Sequence, residues 1–203
     1  MTRSYHSPRR ELAASATRNA ILDAAEALFA ELGYPRTTIA KIAAAAQVSS
    51  NTVYQSIGGK PQLVSAIADR SADDPLIHHS LKTIEEATTG HAVINELGLS
   101  GGRLVRTQLR AISVVWDNAV VDPLVAAVAE RTKELFMVRL HQIVARLRSL
   151  DALREGIDDD QAAQILYFHF TPDAWRRLRD FGWTWEHATD WLVAQAEKAL
   201  LAD

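Results

Sequence analysis

The chain has no cysteine among its 203 residues. Disulfides, thiolate metal sites and a thiol nucleophile are therefore excluded. No apolar run approaches the about 20 residues that span a bilayer. The first residues, MTRSYHSPRRELAAS, lack the hydrophobic core of a secretory signal, and a cytoplasmic location is the expectation. Signatures of catalysis are missing too. The GLSGG stretch at 98–102 spells G-x-S-x-G but lacks the preceding strand of a nucleophile elbow and the lysine and strand of a phosphate loop, and there is no His-x-x-x-His pair. His78 and His79 are adjacent, so on a helix they point about 100° apart and read as a surface pair. The run Asp158–Asp160 lacks the alternating spacing of a calcium loop and reads as a helix cap. Glu85 and Glu86 lie in a charged, solvated-looking helix. No catalytic residue, metal or cofactor is expected, and the chain reads as something other than an enzyme.

A large excess of either charge is also absent. The net charge is −3, which by itself argues against a nucleic-acid partner. Its distribution argues the other way. Residues 1–70 hold eight Lys/Arg against five Asp/Glu, while residues 71–203 hold 14 against 20. The basic excess sits at the N-terminal end, and it is small.

What is present is helix. The apolar content of 48% and charged content of 23% suit a globular chain, and no strand alternation persists anywhere. The organising stretch is 36–62, RTTIAKIAAAAQVSSNTVYQSIGGKPQ. Ile39, Ile42, Ala43 and Ala46 repeat at helical spacing behind an N-cap at Thr37 or Thr38. Ser49 caps a second short helix whose inward residues are Val53 and Ile57. Asn51 and Gln55 face the opposite way, with Thr52 and Tyr54 on the flanks. A short amphipathic helix with hydrogen-bonding side chains outward, held behind another short helix, is an arrangement that reads the DNA major groove. An ordinary helical hairpin shares the spacing. The groups that raise the DNA reading are Tyr54, Lys60, Thr37 and Thr38, which could hold phosphates while Asn51 and Gln55 meet base edges, and Ser49, Ser50 and Thr52 complete the candidate DNA-binding set.

These residues, TIAKIAAAAQVSSNTVYQSIGGKPQL preceded by AILDAAEALFAELGY, resemble the N-terminal DNA-binding domain of the TetR family of bacterial transcriptional regulators over about residues 17–66. The resemblance implies an all-helical homodimer with a variable ligand-binding core and repression relieved by a small molecule. Gln47 stands where the family usually has a turn glycine, at a cost of roughly 1 kcal/mol if its φ is positive. Ile57 replaces the usual aromatic. The segment TPDAWRRLRDFGWTWEHATDWLVAQAEKAL looks, more loosely, like the family's C-terminal region, where a helix pair forms the dimer interface.

The expected architecture is all-α, with a helix-turn-helix domain over 1–70 and a ligand-binding and dimerisation domain over 71–203. Residues 1–16 read as a flexible arm, either a disordered tail or a basic segment that reaches DNA through Arg3, Arg9 and Arg10. The first helix is expected over Thr17–Leu32. SADDP at 71–75 is the boundary. GLSGG means a break, a kink or close backbone packing. A long helix over Pro123–Leu150 is expected to turn Val128, Leu135, Val138, Leu140, Val144 and Leu147 inward. Aromatics beyond residue 110 read as core, or as the wall of a ligand cavity. Gln108, Trp116, Phe136, Met137, His141 and Tyr167 are the cavity candidates. Ala162, Ile165, Leu166, His169, Ala188, Leu192, Gln195 and Ala199 are the candidates for the dimer face. The expected partners are operator DNA, a largely apolar effector and a second copy. The alternatives are the same fold governed by a protein partner or by no inducer, and, more remotely, a helical enzyme carrying a DNA-binding-like segment.

Overall fold

The computed structural model describes residues 8–120 and 122–202, with side chains from Glu11 onward. Among the described residues ten helices follow one another: α1 (Pro8–Leu32), α2 (Ile39–Ala45), α3 (Ser50–Ser56), α4 (Lys60–Ala72), α5 (Pro75–Glu86), α6 (Gly90–Trp116), α7 (Pro123–Ser149), α8 (Asp159–Phe170), α9 (Pro172–Asp180) and α10 (Trp185–Leu200). An isolated bridge between Leu153 and Leu201 is the β pairing among the described residues. The helix starts follow ordinary capping chemistry. The Thr38, Ser49, Asp74, Asp158 and Thr184 side chains each accept from a backbone N–H of the first turn. Pro75 and Pro172 open their helices, where a missing N–H costs nothing.

Helix α1 begins well before the expected Thr17. Residues 8–16 are helical rather than an arm, and Arg3 lies outside the described residues. Little in RRELAASATR opposes a helix, and alanine favours one.

The chain forms two compact units. The first comprises residues up to Ser71 together with Ser113–Ala129. Ile21, Leu22, Ala25 and Phe29 of α1, Ile42, Val53, and Leu63 and Ile67 of α4 are buried in it. Arg70 clamps α4 to α1 through Asp23 at 2.7 Å and Glu26 at 2.9 Å. The Tyr34 hydroxyl donates to Asp122 at 2.7 Å, which ties the added segment into this unit. That bond holds the Asp122 carboxyl below its usual range and, after burial, raises the Tyr34 phenol.

The second unit comprises Ala72–Ile112 and Glu130–Asp203. At its centre Trp175 is fully buried, and its indole N–H donates to Thr189 at 3.0 Å. The glycines of GLSGG lie inside the helical run of α6, and they serve close packing. A Cβ on Gly98 would stand 2.2 Å from Val193, and one on Gly102 2.6 Å from the Thr189 hydroxyl. The non-helical dihedrals in α6 fall instead at Gln108, with φ −110° and ψ 19°. On α7, Val128, Leu140, Val144 and Leu147 are buried as expected. Leu135 and Val138 are exposed, and Ile143 takes an inward place. Periodicity misplaced these two because the helix carries apolar residues on more than one face.

Candidate functional site

The candidate DNA-reading unit is built from α2, its turn and α3. Thr38 caps α2 by accepting from the Lys41 N–H at 3.3 Å. The turn runs through Ala46–Ser49, and Gln47 sits in the left-handed region at φ 55°. Its side chain lies over a backbone shape that favours glycine. Replacing Gln47 with Gly is expected to raise stability by roughly 1 kcal/mol. A urea melt in which the midpoint does not rise would contradict that strain.

Ser49 then caps α3, accepting from the Thr52 N–H at 3.0 Å and lying 2.8 Å from the Thr52 hydroxyl. Val53 is fully buried and anchors the helix from behind. Arg18 of α1 donates to the Ser56 carbonyl at 3.1 Å, at the C-terminal end of α3. With α3 held at both ends and from behind, Ser50, Asn51, Tyr54 and Gln55 are left exposed, Tyr54 at 57%. No residue of α3 is charged. Its outward surface is a row of amide and hydroxyl groups that can both donate and accept.

Two expected phosphate contacts are turned inward. Thr37 is 1% exposed, and its hydroxyl donates to the carbonyls of Leu28 and Gly33 at 3.0 and 2.9 Å. It ties the α1–α2 turn together. Lys60 donates to the Tyr34 carbonyl at 2.5 Å and lies 4.2 Å over the Tyr34 ring. Burial lowers the pKa of this ammonium, though Asp122 opposes the shift. Both residues were read from their place at a helix start, and that place does not fix where the side chain turns. Exposed basic groups the motif did not name are Arg18, Arg36 and Lys41. Their signal was the basic excess of the first 70 residues.

The cavity candidates are scattered. Phe136 lines a cavity of about 90 Å³ between α5, α6 and α7, together with Leu76, Ser80, Leu97, Ser100 and Arg139 among others. Tyr167 packs against Phe136 with ring centres 5.8 Å apart, and Met137 packs on the surrounding core. His141 is instead spent between the Met137 carbonyl at 2.8 Å and Asp160 at 3.0 Å. The Asp160 bond, above all, raises its pKa. Gln108 gives its amide N–H to Asp74, and its amide oxygen is buried without a donor. Trp116 belongs to the first unit, apart from the residues of this cavity.

The dimer candidates divide by burial. Ala162, Leu166, Ala188 and Leu192 are buried within the chain and build its own core, so they cannot form a surface. Ile165, His169, Gln195 and Ala199 are partly exposed. The outward apolar groups on these helices are Phe168, 76% exposed, and Trp191, 42% exposed. Apolar spacing alone could not separate the two faces, because both carry apolar residues. Among the described residues no group of His, Asp and Glu could hold a metal, and no helix is long and apolar enough to cross a membrane.

Residues 21–67, which include α2, the turn and α3, match the family model of bacterial regulatory proteins of the tetR family. The chain carries a TetR-family N-terminal domain. No curated protein matches the chain. Solved structures of TetR-like regulators share its fold over nearly the whole length. SmeT of Stenotrophomonas maltophilia, in complex with triclosan, superposes with a TM-score of 0.74 at 22% identity, covering 93% of each chain. NalD, the secondary repressor of the MexAB-OprM efflux pump in Pseudomonas aeruginosa, superposes with a TM-score of 0.75 at 21% identity, covering 92% of this chain and 96% of that one. FadR of Bacillus subtilis, in complex with stearoyl-CoA, has a TM-score of 0.73 at 18% identity and covers 87% and 96%. The helix-turn-helix unit followed by a helical C-terminal unit is thus the TetR architecture.

Proposed function

We propose that the protein is a homodimeric TetR-type repressor that binds palindromic operator DNA through α3 and leaves it when a small, largely apolar ligand enters the α5–α7 cavity. The observation that carries the DNA part is α3 itself. It is capped by Ser49, anchored by Val53, and faces outward with Asn51, Tyr54 and Gln55. Asn51 and Gln55 would read base edges, while Ser50, Thr38 and Tyr54 would hold phosphates. A helix of two turns offers too few contacts for a specific site alone. Two copies reading half-sites about 34–36 Å apart would supply them. The outward aromatics of α8 and α10 are the proposed contact between copies, with Ile165, His169, Gln195 and Ala199 beside them.

The ligand part rests on the cavity and on chain continuity. The chain passes from one unit to the other within α6, at Ile112–Ser113, and within α7, at Ala129–Glu130. A ligand lodged among Leu97, Phe136 and Arg139 would act on two helices that also carry parts of the DNA-binding unit. It releases DNA only if it binds the DNA-incompetent state more tightly, and a hundredfold preference amounts to about 2.7 kcal/mol. The modest size of the cavity favours a second reading, in which a protein partner or no inducer governs the same fold.

A gel-shift against genomic fragments, followed by sequencing of the bound DNA, tests the first part. Gln55→Ala and Asn51→Ala are expected to cost about 1–3 kcal/mol each on the selected site and to relax preference at particular base pairs. Equal weakening on selected and random DNA would contradict base reading by α3.

A further inference from the structure

Arg139 stands out on the cavity wall. Its guanidinium lines a cavity otherwise made of Leu, Ile and Phe side chains and the Ser80 and Ser100 hydroxyls, which bond each other at 2.7 Å. Its hydrogen bond goes to a neutral acceptor, the Ala72 carbonyl at 2.8 Å. No carboxylate of the described residues reaches ion-pair distance. Asp73 is the acid that acts on it from farther away, and Asp73 is itself 3.1 Å from His78. Two turns along the same face of α7 lies Arg146. It lines an adjoining cavity of about 490 Å³ that shares Leu81, Ile84 and Ile143 with the smaller one. Arg146 also donates only to neutral oxygens, those of Ala87 at 2.8 Å and Ser149 at 3.3 Å, and its Nε–H is buried with no partner. Arg139 and Arg146, neither with a carboxylate at ion-pair distance, therefore face one trough of adjoining cavities, the larger of which is also lined by His78, Lys82, Glu85 and Gln142. A desolvated cation lacking a counter-charge is unfavourable until an anion arrives, and a planar fork suits a carboxylate.

We infer that the α5–α7 trough takes an amphipathic acid, an apolar chain whose carboxylate pairs with Arg139. This rests on the reading of the trough as the effector site and specifies the effector's chemistry. The chain lies against Leu81, Leu97, Phe136 and Ile143, and the adjoining cavity receives what exceeds the smaller one. Alcohols and amines of the same chain gain the apolar contact alone, and an ammonium is repelled by both arginines.

The test is calorimetric titration of the full-length protein with three chain-matched probes: octanoate, octan-1-ol and octylammonium. Octanoate is expected to bind at least tenfold more tightly than octan-1-ol, with octylammonium weakest. Arg139→Gln is expected to remove that preference while leaving octan-1-ol binding unchanged. The wild-type ranking stands without any variant, so a poorly folding Arg139→Gln does not remove the test. No saturable octanoate binding at millimolar concentration overturns the inference, and so does equal binding of acid and alcohol. An Arg139→Gln protein of unchanged melting temperature that keeps the preference overturns it as well. DNA release is read separately by fluorescence anisotropy of a labelled operator. Octanoate that binds with the stated preference but leaves DNA bound refutes release by ligand and leaves this inference intact.

Discussion

Replacing Phe168 and Trp191 together with glutamate is expected to leave a folded chain that sediments as a monomer and binds operator DNA at least a hundredfold more weakly. Phe168 is 76% exposed on α8 and Trp191 42% exposed on α10. These open aromatics are the proposed contact between copies, and aromatics dominate the energy of buried interfaces. Glutamates placed there would meet their copies across a two-fold axis, where burial and like-charge repulsion oppose contact. Phe168 points into solvent and its loss removes little internal packing, while Trp191 gives up an edge contact with Trp183, ring centres 5.8 Å apart. Leu192→Glu would be a different experiment. Leu192 is 3% exposed, so a carboxylate there would report on folding rather than assembly. A double variant that remains dimeric in sedimentation at micromolar concentration would refute this face as the contact. A variant that becomes monomeric yet binds a palindrome as tightly as the parent would refute the need for two copies.

The second large effect concerns stability. Trp175→Ala is expected to cost about 3–5 kcal/mol, a large share of what a chain of this size has in reserve. The indole is fully buried, with Phe170 5.9 Å away between ring centres. Gly101 and Gly102 of α6 approach it so closely that a Cβ would stand 3.1 and 3.2 Å from its atoms. α6 has no side chains at those positions to close over the vacated space. Removing the indole also takes the donor from the Thr189 hydroxyl, which is 6% exposed and largely closed to solvent. Chemical denaturation followed by circular dichroism checks the value. A loss below 1 kcal/mol would mean that the surrounding helices collapse into the gap and that the packing at the glycines is loose.

Much of the first unit was legible because its signals are local. A cap hydroxyl, a period of 3.6 and a left-handed turn are settled by residues three or four apart. Thr38, Ser49 and Val53 took their expected places for that reason, and Gln47 took the positive φ its position implies. Thr37 and Lys60 turn inward because each meets a partner outside its own helix start. Thr37 turns to the Leu28 carbonyl, and Lys60 turns to Tyr34, 26 residues away. The cavity was harder still. Its lining comes from α5, α6 and α7 together, and only Phe136 of the expected set faces it. Arg139, a charge in an apolar stripe, is the signal of the cavity that the sequence carries.

The sequence alone determined that the chain is helical, where most helices begin and end, and that residues near 17–66 resemble a TetR-type helix-turn-helix. These follow from short-range chemistry, in which each side chain competes mainly with its own backbone. Tertiary structure decided which apolar face of α8 and α10 is core and which is surface. It decided that GLSGG is a close-packing seam and not a break, and that residues 113–129 join the N-terminal unit through Tyr34 and Asp122. It also left Arg139 on the wall of the smaller cavity with a neutral carbonyl as its partner. Such outcomes depend on which distant surfaces meet. An amphipathic pattern says that a face must be covered, but the covering partner is selected by the packing of the whole unit.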